Sequence, residues 1–396
     1  MFNIHSWTPV YVNVDNIMNM SFDRIYQAAS LGASAIMQNN LATAVGEFGY
    51  SAHKDPFDNT IWRHSGHAKF TYSGFYPVFE VSVDFNDRDA RQYYFKVYQA
   101  GENTSLSIEN RALNKPYIQG SLKTYIPFDF SGGGWYRGLI PQLTYRISND
   151  MFNTGATVLS YDSINGSFGG RPVFIGNVEG KNTFRHSLTG SIRGYTMLGI
   201  SHSAVYPKWG IGLELGASGN IESSSILSPM GYAYLYGYIP GVIAGQGIRL
   251  TAMHQQSLSS KAYFNQGIVT TLPRGLSNNG NLNLWLSLRN EAITKLTVDY
   301  GIPIYIGDWG LFGGLVYFKR LVLTPHFDYM FAGENQLYSA GCDFVFDLNS
   351  VLWIKWPCSA GITYSYNGGP SFKSLSETSG IYLGRHYVGP TFNISF

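Results

Sequence analysis

The sequence predicts an all-β protein, a transmembrane antiparallel β-barrel of about 16 strands with a long loop folded into its lumen. Three observations lead to this fold class. Only 13% of the 396 residues are charged and 16% are aromatic. No apolar run reaches the roughly 18 residues that a transmembrane helix needs. Apolar residues recur with a period of two, which a barrel produces because lipid-facing and lumen-facing side chains alternate along each strand.

The composition also bounds the surroundings of the chain. An average soluble domain has about 25% charged residues, so this chain has too few charges for an ordinary soluble surface. It contains 45 Gly and 29 Tyr, and its formal net charge is +2. No basic tract indicates nucleic acid. The expected surroundings are therefore membrane lipids, with no nucleic-acid partner.

Residues 1–30 carry no strand pattern of useful length, and the opening Met1-Phe2-Asn3-Ile4-His5 lacks the basic and apolar segments of a signal peptide. We interpret residues 1–30 as a linker or the stub of a periplasmic module, and residues 31–396 as the barrel. The alternating segments predict strands near residues 33–39, 41–52, 66–74, 77–87, 91–99, 118–128, 134–147, 184–198, 208–220, 230–238, 245–256, 282–303, 311–331, 337–347, 351–366 and 381–396. An even number is expected for a single-chain bacterial barrel.

The alternation is clearest in the C-terminal third. In residues 282–303 the even positions are mainly leucine and other apolar residues, whereas odd positions include Lys295 and Asp299. In residues 311–331, Phe327 and Phe331 lie on one face and Asp328 on the other. Strands of about 20 residues exceed the usual 3 to 10 and favour tilted strands that project beyond a bilayer.

A one-faced stripe of tyrosines, Tyr232, Tyr234 and Tyr236, has two interpretations. The first is an aromatic girdle at the membrane interface, where an amphipathic ring is most stable. The alternative is packing in the core of a soluble β-sandwich.

Two arginine–glycine pairs differ in their context. Ile192-Arg193-Gly194-Tyr195 lies within an alternating run and predicts an ordinary lumen-facing arginine. Thr271-Leu272-Pro273-Arg274-Gly275-Leu276 lies in a long polar connection, and five predicted strands follow it. Alternation directs Asp299 and Asp328 towards the lumen, where a guanidinium could bond to both carboxylates through its five donors. We call Arg274, Gly275, Asp299 and Asp328 the lumen-loop lock; the alternative is a set of unrelated lumen charges.

The last residues predict a terminal strand with Phe392, Ile394 and Phe396 on one face and an aromatic residue at its end. Together with the Arg274 loop, this end resembles the outer-membrane barrel-assembly and transport superfamily that includes BamA, TamA and the two-partner secretion transporters. Val298-Asp299-Tyr300-Gly301-Ile302-Pro303 is similar to the end of the superfamily's twelfth strand, and Phe327-Asp328-Tyr329-Met330 to its thirteenth. The superfamily has an Arg-Gly motif followed by an aromatic or aliphatic residue, in a long loop between its eleventh and twelfth strands. Ile192-Arg193-Gly194-Tyr195 is the closer literal match, whereas Pro273-Arg274-Gly275-Leu276 departs from the motif at both flanks but has the position in the chain that the superfamily requires.

The resemblance implies an outer-membrane β-barrel of a Gram-negative cell that assists the insertion or translocation of proteins. Its first and last strands would form a lateral seam for client outer-membrane or secreted proteins, and Phe392, Ile394 and Phe396 would belong to the seam and to the C-terminal assembly signal. Arg274 would brace the wall opposite that seam. Periplasmic domains or lipoproteins are further partners that the resemblance implies.

No catalytic set, phosphate loop or metal-ligand spacing stands out in the sequence, so we expect a protein that is not an enzyme and has no cofactor or metal. Two other functions stay open, a passive channel or porin and the membrane anchor of a larger periplasmic scaffold protein. Cys342 and Cys358 allow either a cross-strand disulfide or two free thiols.

Overall fold

A computed structural model describes most of the chain. The described residues are 2–12, 29–54, 60–86, 93–100, 103–110, 116–149, 156–160, 163–164, 167–168, 173–178, 184–201, 203–221, 227–258, 264–265, 272–276, 292–313, 316–351, 358–379 and 383–394. Within these ranges no helix is long and apolar enough to cross a membrane.

One large antiparallel sheet dominates the structure. Its strands are β1 (Phe2–Val12), β2 (Ala29–Asn39), β3 (Ala44–Lys54), β4 (Trp62–Tyr72), β5 (Val78–Phe85), β6 (Ile118–Tyr125), β7 (Trp135–Ser148), β8 (Arg185–Leu198), β9 (Gly210–Asn220), β10 (Met230–Pro240), β11 (Gly247–Ser257), β12 (Ala292–Leu311), β13 (Val316–Ala332), β14 (Asn335–Val351), β15 (Cys358–Gly368) and β16 (His386–Ile394). Each strand pairs with the next along the chain, and the short strand Phe128–Asp129 extends β6 along β7. The predicted all-β fold with about sixteen antiparallel strands is confirmed.

The sheet has two edges. Among the described residues no ladder joins β1 to β16, so the barrel wall is not closed by hydrogen bonds at this position. Four further strands form a separate sheet: Tyr93–Ala100, Asn103–Asn110, Ala156–Ser160 and Val173–Val178. Two small pairs join Ser163–Ile164 to Ser167–Phe168 and Leu227–Ser228 to Phe264–Asn265. Helix α1 (Phe372–Ser379) lies between β15 and β16.

Two strand assignments from the sequence are wrong. One removes a strand from the large sheet and the other adds one, so the predicted number of strands is unchanged. Residues 91–99 were expected in the barrel, but Tyr93–Ala100 belongs to the separate sheet. Residues 2–12 were assigned to the linker, but they form β1 and pair with β2. The β1 ladder has register shifts between Ile4 and Ser6 and between Thr8 and Val10. Each shift moves the following side chains to the other face, which hides the period of two from the sequence.

The distribution of polar and apolar side chains between the two faces of the sheet is the opposite of that in a soluble protein. Along β13 every even position from Phe318 to Ala332 is buried, including Arg320 and Asp328. The outward residues Phe327 and Phe331 remain 43% and 38% exposed. Large apolar side chains on the outside and charges on the inside are the arrangement of a barrel in lipid. The predicted faces of β12 and β13 are therefore those of the structure.

The tyrosine stripe on β10 is not an aromatic girdle, which corrects the first interpretation above. Leu235 is exposed on the outer face, so Tyr232, Tyr234 and Tyr236 point inwards. Tyr236 lies directly opposite Gly212 of β9, and a Cβ at this glycine would overlap the tyrosine ring. The rings thus fill positions on the inner wall that the glycines leave open. Alternation alone could not assign the stripe to a face.

The register of β14 with β15 predicts that the two cysteines are not linked. Cys342 lies opposite Tyr364, whereas Cys358 lies opposite Leu348. The six-residue offset corresponds to about 20 Å along a strand, but a disulfide needs Cα atoms within about 7 Å. Peptide mapping of the folded protein without reductant should yield both cysteines in unlinked peptides. A linked Cys342–Cys358 peptide would mean that this register is wrong.

Candidate functional site

The connection between β11 and β12 places residues 272–276 against the inner face of the sheet. Leu272 is 3% exposed and Leu276 is fully buried, and Pro273 is also among the most deeply buried side chains. Five strands, β12 to β16, follow this loop, as the sequence predicted. The flanking residues 266–271 and 277–291 lie outside the described part of the chain.

Asp328 of β13 binds Arg274 through both its backbone and its side chain. The backbone N–H of Arg274 donates to Oδ2 of Asp328 at 2.8 Å, and Nη2 donates to Oδ1 at 2.9 Å. Nε of Arg274 lies 3.2 and 3.3 Å from the same two oxygens. Asp328 is fully buried. One carboxylate therefore fixes both the path of the loop backbone and the direction of the guanidinium.

Two neighbouring strands supply further acceptors for Arg274. Its Nη2 also donates to Oδ1 of Asp299 on β12, which is fully buried. Its Nη1 donates to Oδ2 of Asp343 on β14 at 3.3 Å. The guanidinium thus joins three adjacent strands of the wall. The structure brings together all four residues of the lumen-loop lock and adds Asp343, which the sequence reasoning missed although it lies on the inward face of β14.

Two further cations complete the charge balance. Nη2 of Arg249, on β11, lies 2.7 Å from Oδ2 of Asp299. Nζ of Lys295, on β12, lies 3.5 Å from Oδ2 of Asp328 and donates to the carbonyl of Leu272 at 3.1 Å. The alternating pattern predicted that Lys295 faces the lumen but did not predict that it pairs with Asp328. Because buried charges are costly unless they are paired, these contacts offset the cost of burying both carboxylates.

The charge of Arg274 is favoured by this environment. Burial alone disfavours a charged guanidinium, but the hydrogen bonds that Arg274 donates to Asp328 and the negative charges of Asp299 and Asp328 outweigh burial and raise the pKa of Arg274 above its ordinary value. The loop therefore carries a permanent positive charge into the lumen.

Gly275 allows the loop to approach β15 closely. Its φ is +85°, a conformation that residues with a Cβ rarely adopt. A Cβ at this position would lie 3.0 Å from Nδ2 of Asn367 and from Cβ of Ser365. Both the backbone angle and the space thus favour glycine immediately after the arginine.

The apolar side of the loop packs into a cluster that includes the segment before β16. The cluster consists of Leu272, Leu276, Ile293, Met330, Ala332, Leu337, Phe372, Leu375 and Leu383. Phe372 and Leu375 belong to α1, and Leu383 lies just before β16. The loop therefore contacts β12 to β15 and the approach to the edge strand. Arg274 bonds to β12, β13 and β14, on the β16 side of the sheet. That it braces a wall opposite a seam stays a prediction.

Arg193 and the described residues of the C-terminal pattern occupy ordinary positions in strands. Arg193 is in β8, opposite Glu214, and its Nη2 lies 3.5 Å from the hydroxyl of Tyr236. At the C-terminus, Phe392 pairs with Ala360 and Ile394 with Cys358. Phe396 lies outside the described residues.

Among known proteins, the chain resembles solved structures but no family model or curated protein. No protein-family model matches the chain, and no curated protein matches it. The chain is similar to the crystal structure of BamA from Haemophilus ducreyi lacking POTRA domains 1–3, with 11% sequence identity and a TM-score of 0.44. The match covers 92% of this chain and 68% of that chain.

Replacing Arg274 by alanine should destabilise the folded protein. Of the cations in the described ranges, the change leaves Arg249 beside Asp299 and Lys295 beside Asp328. Removing one partner of a buried ion pair typically costs about 3 to 5 kcal/mol. Urea unfolding in detergent micelles, followed by tryptophan fluorescence, measures the loss. Arg193→Ala is the matched control because this arginine is exposed on a strand. Equal stability of the two variants would contradict the lumen-loop lock.

Gly275→Ala should also destabilise the protein, because the new Cβ meets β15 and the backbone angle becomes strained. The expected loss is about 1 to 3 kcal/mol, measured by the same unfolding experiment. Gly66→Ala is the control, since a Cβ at Gly66 meets no described atom within 4 Å. If Gly275→Ala were as stable as the control, the loop would not lie against Ser365 and Asn367.

Proposed function

We propose that this chain is an outer-membrane β-barrel that assists the insertion or translocation of proteins through a lateral seam between β1 and β16. The observation that carries the proposal is the pair of sheet edges, since no ladder joins β1 to β16 among the described residues. Clients would be outer-membrane or secreted proteins, and periplasmic domains or lipoproteins would be further partners.

The outer-membrane location is supported by the polarity of the wall. The outward side chains of β13 and β14 are largely apolar, such as Phe327, Phe344 and Phe346, which are 39% to 43% exposed. The inward side chains include Arg320, His326 and Asp328. A sheet of this polarity is stable where lipid contacts its outer face, and single-chain barrels of this kind occur in the outer membrane of bacteria.

The seam supplies a physical mechanism that needs no bond chemistry. Backbone N–H and C=O groups without partners are costly in hydrocarbon. An incoming strand can satisfy these groups by adding to an open edge of the sheet. A client strand would thus pair with the open edge of β1 or β16 as it moves from water into the membrane. The protein would work in this way without a catalytic residue, cofactor or metal.

The lumen-loop lock would confine the opening to the seam. Arg274 joins β12, β13 and β14 through their carboxylates, so these strands resist separation. Leu383 links the loop to the start of β16 through the apolar cluster. We infer that the lock holds the last strand in place until a client strand binds its edge.

A cysteine pair across the seam tests the proposal. Ser6→Cys in β1 is combined with Tyr387→Cys or Thr391→Cys in β16, in a background where Cys342 and Cys358 are serine. The readout is the folding rate of an unfolded eight-stranded barrel protein in vesicles that contain this chain, followed by electrophoretic mobility without heating. We expect the oxidised pair to abolish the acceleration and a reductant to restore it.

The control places a cross-link within an existing ladder. Ser6 and Ile36 are Cα partners in the β1–β2 pair, so oxidising Ser6→Cys with Ile36→Cys leaves the seam free and should leave the acceleration unchanged. Full activity of the cross-linked seam would refute the proposal. A large, steady ohmic conductance in planar bilayers, unaffected by the cross-link, would favour a passive channel instead.

A further inference from the structure

The outer face of the sheet carries a groove beside the β1 edge. It has a volume of about 580 Å³ and is lined mostly by apolar residues of β1 to β5. Trp7 of β1, Ala33 and Ala35 of β2 and the outward residues of β3 to β5 line it. This volume falls within the usual range of about 300 to 1,000 Å³ for ligand pockets.

The floor of the groove is made of small residues and its sides of large ones. Gly66 of β4 lies between Tyr50 of β3 and Phe85 of β5, and Ala68 lies in the next outward row, between Phe48 and Val83. A Cβ on Gly66 would meet no described atom within 4 Å. The situation at Gly212 is different, because the ring of Tyr236 fills the space there. The chain's own described side chains thus leave the Gly66 position open.

One end of the groove carries polar and cationic groups on the same face. His64 lies two residues before Gly66 on β4, and its Nδ1 is 2.6 Å from the hydroxyl of Tyr50. Lys54 and Trp62 lie opposite each other next along the ladder, with Nζ of Lys54 6.0 Å from the ring centroid. Tryptophan and lysine are favoured at the boundary between hydrocarbon and headgroups. A lysine ammonium also binds phosphate through charge-assisted hydrogen bonds.

We propose that this groove binds a phosphate-bearing membrane lipid, with one acyl chain over Gly66 and Ala68 and the phosphate at Lys54 and His64. The inference rests on the proposed membrane location of the barrel. The apolar trough matches an acyl chain, and the cationic rim matches an anionic headgroup. Because Trp7 of β1 lines the groove, the lipid would lie directly beside the seam.

Lipid retention measures this binding. The protein is reconstituted into vesicles of equal parts phosphatidylglycerol and phosphatidylcholine, extracted into mild detergent and analysed by native mass spectrometry. We expect the wild type to retain one phosphatidylglycerol in preference to phosphatidylcholine. Gly66→Leu should lose the retained lipid because the leucine fills the trough. Lys54→Gln should lose the preference for phosphatidylglycerol because the charge is removed.

Gly190→Leu is the matched control. Gly190 lies on the outer face of β8, where a Cβ would have its nearest neighbour, Leu143, at 3.9 Å. This variant should retain lipid like the wild type, and unheated electrophoretic mobility confirms that each variant is folded.

Retention by Gly66→Leu equal to that of the control, or no headgroup preference in the wild type, would overturn the lipid site. Failure of the wild type to enter vesicles would refute the membrane location itself and this site with it. If Gly66→Leu loses the lipid but still accelerates the folding of the client barrel, the lipid site is supported and the proposed seam mechanism is unaffected.

Discussion

The position of Arg274 depends on two carboxylates with no access to solvent. Asp299 and Asp328 are both fully buried, and an unpaired carboxylate at such a site would be strongly disfavoured. Arg249 and Lys295 each contact one of them, but among the described residues only Arg274 contacts both and also reaches Asp343. The strands β12, β13 and β14 are thus held together by their shared charge as well as by their ladders, and residues 272–276 must stay inside the barrel.

The remaining features of the loop make this ion pairing possible. Gly275 lets the backbone lie against Ser365 and Asn367 of β15, which brings the preceding guanidinium to the depth of the carboxylates. Leu272 and Leu276 pack on the wall and on α1, which anchors the loop on both sides of the arginine, and Asp299 and Asp328 have no solvent exposure. Electrostatic attraction is stronger where water is excluded. The arginine supplies the charge, the glycine allows the close approach, and the leucines anchor the loop on the wall.

Alternation predicted this part of the fold because an apolar outer face and a packed inner face give β12 to β14 a strict period of two. The faces of Asp299 and Asp328 follow directly from that period. It does not give the height of a residue in the barrel, which depends on register, so Arg249 and Asp343 could not be recognised as neighbours of Arg274. It also fails where the register shifts, as in β1, and it could not place the tyrosines of β10 inside the wall.

The two halves of the sheet that end at the β1 and β16 edges differ in how strongly they are held. Strands β12, β13 and β14 have 20, 17 and 17 residues, and the lumen-loop lock joins them from inside. Strands β1 to β5 have 8 to 11 residues each, their first ladder contains two register shifts, and their outer face has an open space at Gly66. Local opening occurs first where a structure has fewer contacts and fewer hydrogen bonds. A barrel built in this way would open at the edge of β1, while β16 stays attached through Leu383 to the braced half.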